Sequence, residues 1–131
     1  LTVLFESALQ HMPDRPESYL SLPEPVREFL SGLPTAWDET KLLNGYPGES
    51  VVLARRKGDN WFVAGINGTD EPLSLTLPHL LLDGTHDTIT LFRDGVDQRS
   101  FAIEEASALS DFPETIKVEC LPRGGFVAII N

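Results

Sequence analysis

The chain has 131 residues, 41% of them hydrophobic and 23% charged, which suffices for one ordinary core and is too apolar for a disordered segment. Twenty acidic against ten basic residues give a formal net charge of -10, which repels a phosphate backbone and an anionic membrane surface alike and argues against nucleic-acid or membrane partners. The lone cysteine, Cys120, cannot close an internal disulfide and reads as a small core residue of an alternating run.

In chain order, Leu1-Thr2-Val3-Leu4-Phe5 is apolar on both alternating faces and predicts a strand that needs neighbours on each side, as a parallel barrel strand does. It is too short for a signal h-region or for the roughly 20 residues that span a bilayer, so it reads as part of a longer protein. Pro16 opens a short helix through Leu20. In Glu24 to Leu30 the apolar Val26, Phe29 and Leu30 share one helix face, with Gly32 as the stop.

Beyond Thr35 the period changes to two. Ser50 to Arg56 and Asn60 to Asn67 predict a hairpin across Lys57-Gly58-Asp59. Leu73 to Leu77, Thr88 to Phe92, Thr115 to Leu121 and Phe126 to Ile130 alternate cleanly, with turn signals at Asn67-Gly68, Asp83-Gly84, Asp94-Gly95 and Gly124-Gly125. Glu104 to Asp111, small and acidic, reads as a solvated loop or helical turn. The sum is a mainly β protein: an antiparallel β-sandwich over residues 35–131, preceded over 1–34 by a strand and helix in the style of the closing unit of a (β/α)₈ barrel.

Among twenty acids no carboxylate pair stands out for glycoside hydrolysis, so no catalytic residue is assigned. Glu24 and Glu28 fall on the polar helix face. Glu6 ends the apolar strand, the place where a barrel presents functional groups, and is the candidate substrate-binding residue; the alternative is that Glu6, Ser7 and Gln10 cap the next helix. His11, His79 and His86 lack partners at metal-ligand spacing, and Asp94-Gly95-Val96-Asp97 is a turn rather than a calcium loop, so no metal site is expected. Asn67-Gly68-Thr69 matches a glycosylation acceptor, although tolerance of positive φ explains Asn-Gly between strands.

Aromatic residues gather near the first hairpin: Trp37, Tyr46, Trp61 and Phe62. Trp61 and Phe62 must point to opposite faces of a strand, one into the sandwich and one against a neighbouring surface. Trp37, Asp38, Arg55 and Trp61 are the candidate domain-interface residues, with one of Arg55 and Arg56 expected to pair with Asp38 or Glu39.

The order Glu6-Ser7-Ala8-Leu9-Gln10, Asp14-Arg15-Pro16, Pro34 through Thr40, Val51 through Asp59 with Trp61, then Phe92-Arg93-Asp94-Gly95 and Pro122 through Phe126 resembles the C-terminal part of glycoside hydrolase family 97. That family holds α-glucosidases and α-galactosidases, many from Bacteroidetes. Ala8 stands where the family pattern has proline, and His11-Met12-Pro13 where it has a more apolar run. The resemblance implies a non-catalytic C-terminal sandwich packed on an upstream catalytic barrel. It further implies an α-linked oligosaccharide substrate, calcium in the whole enzyme though no cofactor in this chain, and a periplasmic or secreted location. Two other readings stand beside it: a carbohydrate-binding module with Trp61 or Tyr46 as platform, and an assembly domain that self-associates through the N-terminal strand.

Overall fold

A computed structural model describes residues 1–5, 7, 13–97 and 99–131. Two helices, α1 (Pro16–Leu20) and α2 (Glu24–Ser31), precede eight strands: β1 (Glu39–Tyr46), β2 (Ser50–Lys57), β3 (Asn60–Asn67), β4 (Leu73–Leu77), β5 (Thr88–Asp94), β6 (Phe101–Ala108), β7 (Ile116–Cys120) and β8 (Gly125–Ile130). A six-stranded antiparallel sheet of order β1-β2-β3-β8-β5-β6 faces a two-stranded sheet, β4-β7. No helix among the described residues is long and apolar enough to cross a membrane.

Alternation along each strand sets the layers. In register, Ala54 lies beside Val63 and Val63 beside Ala128, and all three face the small sheet. Trp61, Ile89, Leu91, Phe126 and Ile130 join them, and Leu75, Leu77, Ile116, Val118 and Cys120 answer from β4 and β7. The opposite face of the large sheet is apolar too. Phe62 and Ala64 of β3 pack there with Val127 and Ile129 of β8, under a cover made of Val3, Leu4, Phe29, Leu33 and Trp37. The central strands are thus buried on both faces, which is why β3 reads as a near-continuous apolar run from Trp61 to Ile66.

Local turn chemistry fixes the register. Lys57 pairs with Asn60 across Gly58-Asp59, and Gly58 takes φ 58° at the first central position, where a two-residue hairpin of the II′ kind wants glycine. Gly65 lies beside Phe126, and an added Cβ would meet that ring at 2.3 Å, so glycine there makes room for a core aromatic.

Four expectations need correction. Leu1–Phe5 is a helical turn and not a strand: the Leu4 and Phe5 amides both donate to the Leu1 carbonyl, at 3.0 and 2.9 Å, and the apolar run is satisfied by docking Val3 on the outer face of the large sheet. It therefore offers no strand edge to another copy. The acidic run from Glu104 to Ala108 belongs to β6, an edge strand whose polar side chains face solvent and whose pairing with β5 slips at a bulge between Ile89 and Leu91. β1, which the sequence pattern did not mark, is the other edge and carries its own bulge between Leu42 and Asn44.

The fourth concerns Asn67-Gly68, which closes no hairpin but carries the chain from the large sheet to the small one. Neither residue has positive φ. Asn67 is fully buried: its amide nitrogen donates to the Glu71 and Leu121 carbonyls at 2.7 and 3.0 Å, and its oxygen accepts from the Thr69 amide and hydroxyl at 2.9 and 2.8 Å. A side chain so used has no free nitrogen to carry a glycan.

Candidate functional site

The residues most unlike a plain sandwich lie on the outer face of the large sheet, at the junction with residues 1–37. Arg55 of β2 sits opposite Thr40 of β1 and Phe62 of β3 and points outward, yet it is only 4% exposed. Its guanidinium donates from Nε to the Val3 carbonyl at 2.6 Å, from Nη2 to the Leu4 carbonyl at 3.0 Å and from Nη1 to the Thr40 hydroxyl at 3.0 Å. Val3 beside it is fully buried. Trp37, half-buried, meets the Phe62 ring edge-on with centroids 5.3 Å apart, and Phe29 of α2 lies 5.4 Å from Phe92 of β5. The solvent face of α2 carries Glu24, Arg27 and Glu28.

Beside this junction runs an open groove of about 460 Å³, lined by Leu1, Leu4, Phe92, Phe101, Arg123 and Val127 among others. Leu1, Phe5 and Phe101 are exposed large apolar side chains in this neighbourhood and at the β6 edge. The groove holds apolar walls and no pair of carboxyl groups facing each other across it.

Asp38 is a turn-capping residue. Its carboxylate accepts from the Gly58 amide at 2.8 Å and from Lys57 at 3.3 Å, and the Gly58 hydrogen bond, with Lys57 behind it, holds the acid below its ordinary pKa. Arg56, not Arg55, pairs with an acid: its Nε lies 3.2 Å from Glu39. Trp61 points the other way from Phe62. Its ring is fully buried between the sheets and its indole N–H donates to the Asp83 carbonyl at 3.0 Å, so Phe62 takes the outward position for which Trp61 was a candidate. A buried ring cannot serve as a sugar platform. Tyr46 is 65% exposed at the β1–β2 turn.

Above Trp61, Lys41 stands 5.2 Å from the ring centroid and bonds Asp83 at 2.5 Å, which lowers the Asp83 pKa and raises that of Lys41. Asp94 is a structural acid: one carboxylate oxygen accepts the Leu121 amide at 2.8 Å and the Gly125 amide at 3.0 Å, pinning the β7–β8 connection where Arg123 holds φ 58°. A Cβ on Gly124 would overlap that carboxylate. This ties Phe92-Arg93-Asp94-Gly95 to Pro122-Arg123-Gly124-Gly125, two stretches far apart in sequence. Asp97 accepts the Arg99 amide at 2.8 Å and so closes its own turn. Cys120 is buried, and desolvation, with Asp94 and Glu119 nearby, pushes its thiol up to about 12. Glu6 and His11 lie outside the described residues, and among the described residues no three of His, Cys, Asp or Glu are placed to hold a metal ion.

What the sequence missed is Arg55's acceptor set. A basic residue on a β-strand flanked by apolar neighbours is the available signal, since Ala54-Arg55 faces alternate between two buried layers; its partners, carbonyls of Val3 and Leu4, carry no side-chain signature at all.

Fold and site together define a β-sandwich with an N-terminal segment clasped onto the outside of its larger sheet. The family model described as glycosyl-hydrolase 97 C-terminal, oligomerisation, matches residues 36–131, and the chain belongs to that family. Over 98% of its length the chain is 38% identical to a probable retaining α-galactosidase of Streptomyces bingchenggensis strain BCW-1, of which it covers 19%. It is 37% identical, over its whole length, to a retaining α-galactosidase of Bacteroides thetaiotaomicron, of which it covers 20%. The chain thus spans about a fifth of the length of these curated relatives. A crystal structure of a β-arabinopyranosidase superposes with a TM-score of 0.74 at 33% identity, covering 98% of this chain and 20% of the other. A family 97 enzyme from Pseudoalteromonas sp. strain K8 gives a TM-score of 0.74 at 20% identity, covering 90% of this chain and 19% of its own, which speaks for the fold alone.

Proposed function

We propose that the chain is the C-terminal accessory domain of a retaining α-galactosidase, without chemistry of its own. Residues 1–34 would close the catalytic (β/α)₈ barrel and residues 35–131 form the sandwich that packs beside it. The observation that carries this reading is the pattern of coverage: α-galactosidases match 98–100% of this chain at 37–38% identity and are about five times its length. The clasp between Arg55 and the Val3 and Leu4 carbonyls supports it, because it ties the segment entering the sandwich to the sandwich itself. α-Linked galactosides are the substrate class in this proposal, with calcium in the whole enzyme and a periplasmic or secreted location. The test is to express the full-length protein that contains this chain and assay aryl α-galactoside and aryl α-glucoside with and without a chelator. Chelator-sensitive galactoside hydrolysis, absent from the isolated chain, is expected. Turnover by the isolated chain, or no α-glycosidase activity in the whole, overturns the reading.

The family description favours a second role, in assembly. The exposed Leu1, Phe5 and Phe101 give that role apolar surface. A monomer by sedimentation of the full-length protein at micromolar concentration would exclude it.

A further inference from the structure

A single helical turn leaves its last carbonyls without partners inside the turn. In Leu1–Phe5 those are the carbonyls of Val3 and Leu4, and both are bonded by a side chain 52 and 51 residues further along the chain. The guanidinium of Arg55 is planar and its donors have fixed directions. Three of them reach three acceptors, Val3, Leu4 and the Thr40 hydroxyl, so the contact sets the rotation of the turn as well as its distance from the sheet. An ammonium on a flexible stem could satisfy one carbonyl but not hold both in plane.

Burial makes the arrangement two-state. At 4% exposure the cation has left water, and removing an ion from water is unfavourable unless its hydrogen bonds are replaced. The replacements are carbonyls that exist at this place only while the turn is docked. If the turn lifts away, Val3 leaves its apolar seat on Phe62 and Ala64, and the guanidinium regains water at the same moment. Docking of the turn and burial of Arg55 are therefore one event.

We propose that Arg55 is the positioning residue through which the sandwich sets the conformation of the polypeptide leading into it. It does so as a helix-turn cap supplied from β2, and in the longer family 97 protein the sandwich acts on the preceding domain through this cap. The second half rests on the accessory-domain reading given above; the first half does not.

The test uses the full-length protein with R55K and R55M. Hydrogen exchange is followed at the Leu4 and Phe5 amides, with β2–β3 amides as internal reference, and kcat is measured on an aryl α-galactoside at a temperature where the reference strands stay protected. Expected is exchange at least tenfold faster at Leu4 and Phe5 in R55M, a smaller increase in R55K, unchanged reference amides, and a kcat that falls in the same order. Unchanged exchange at Leu4 and Phe5 overturns the proposal. So does equal loss of protection throughout β2–β3, which would make Arg55 a general support of the fold. Local loosening with unaltered kcat confines the cap to this chain and overturns the coupling to the preceding domain. A wild-type protein inactive on every α-glycoside defeats the accessory-domain reading, and exchange alone then decides the cap. Should R55M not accumulate, R55K carries the same comparison.

Discussion

Each face of the large sheet buries an aromatic ring next to a cation, and the two faces do it differently. Between the sheets Trp61 is fully buried, held by one indole hydrogen bond to Asp83, with Lys41 at its rim where the ammonium still reaches an exposed acid. On the outer face Trp37 is only half-buried against Phe62, and it is the cation, Arg55, that has gone inside. The inner layer is closed by apolar packing that needs little geometry. The outer layer is fastened by directed hydrogen bonds to two main-chain carbonyls, which confer position rather than bulk stability. One face is built to hold the sandwich together and the other to hold something in register with it.

The comparison breaks most forcefully at Trp61. Replacing it with alanine leaves a large cavity and removes one of the two hydrogen bonds to the Asp83 carbonyl, and should cost about 3–5 kcal/mol, read as a lower urea midpoint with both sheets unfolding together. A loss of that size confined to residues 1–37 would mean that the inner layer is not the main source of stability. Next, Gly65→Ala forces Phe126 from its seat and should cost about 1–3 kcal/mol in the same measurement, while Trp37 quenching by acrylamide stays as in the wild type. Asn67→Ala takes the acceptor from the Thr69 amide and one donor from each of the Leu121 and Glu71 carbonyls, and should cost about 1–3 kcal/mol, seen as a lower melting temperature.

Smaller effects come from the rim. Asp38, Asp70 and Asp83 all have pKa values below the ordinary 3.8, from the Gly58 amide, Arg123 and Lys41 respectively. A carboxyl lowered on folding contributes stability that is complete above its unfolded pKa and is lost as pH falls through the folded one. The contribution of these three acids should therefore be complete above about pH 5 and decline below about pH 4. Because these groups are exposed, Asp83→Asn should flatten that decline only slightly, and less in high salt. The smallest change is chemical: with its thiol pushed up to about 12 and buried, Cys120 should ignore a disulfide reagent at pH 8 and react only on unfolding. Fast labelling of the native protein would show the inner layer to be looser than the outer.

Legibility followed burial. β3 begins and ends where the alternation says, at Asn60–Asn67, because β2 and β8 flank it, and so does β4, at Leu73–Leu77, because its Leu75 and Leu77 are buried against the large sheet. The edges β1 and β6 were missed or misread, since an edge strand has one neighbour, bulges freely and carries acids such as Glu104 toward solvent, where Arg93 meets it at 2.9 Å. An arginine pair at Asp38 or Glu39 was visible as short-range chemistry, and it is Arg56 with Glu39, while Asp38 caps the Gly58 turn. For Trp61 against Phe62 the alternation announced opposite faces and left open which ring went where.

The sequence by itself determined the sandwich class, the central strands, the two short helices and the family resemblance, because period-two burial, proline and glycine act within a few residues of themselves. Only the tertiary structure decided that Leu1–Phe5 is a docked turn, that Asn67 spans two sheets and that Arg55 is the buried cation. Those outcomes depend on main-chain carbonyls and on which face a neighbour happens to cover, and neither is written in the identity of any side chain.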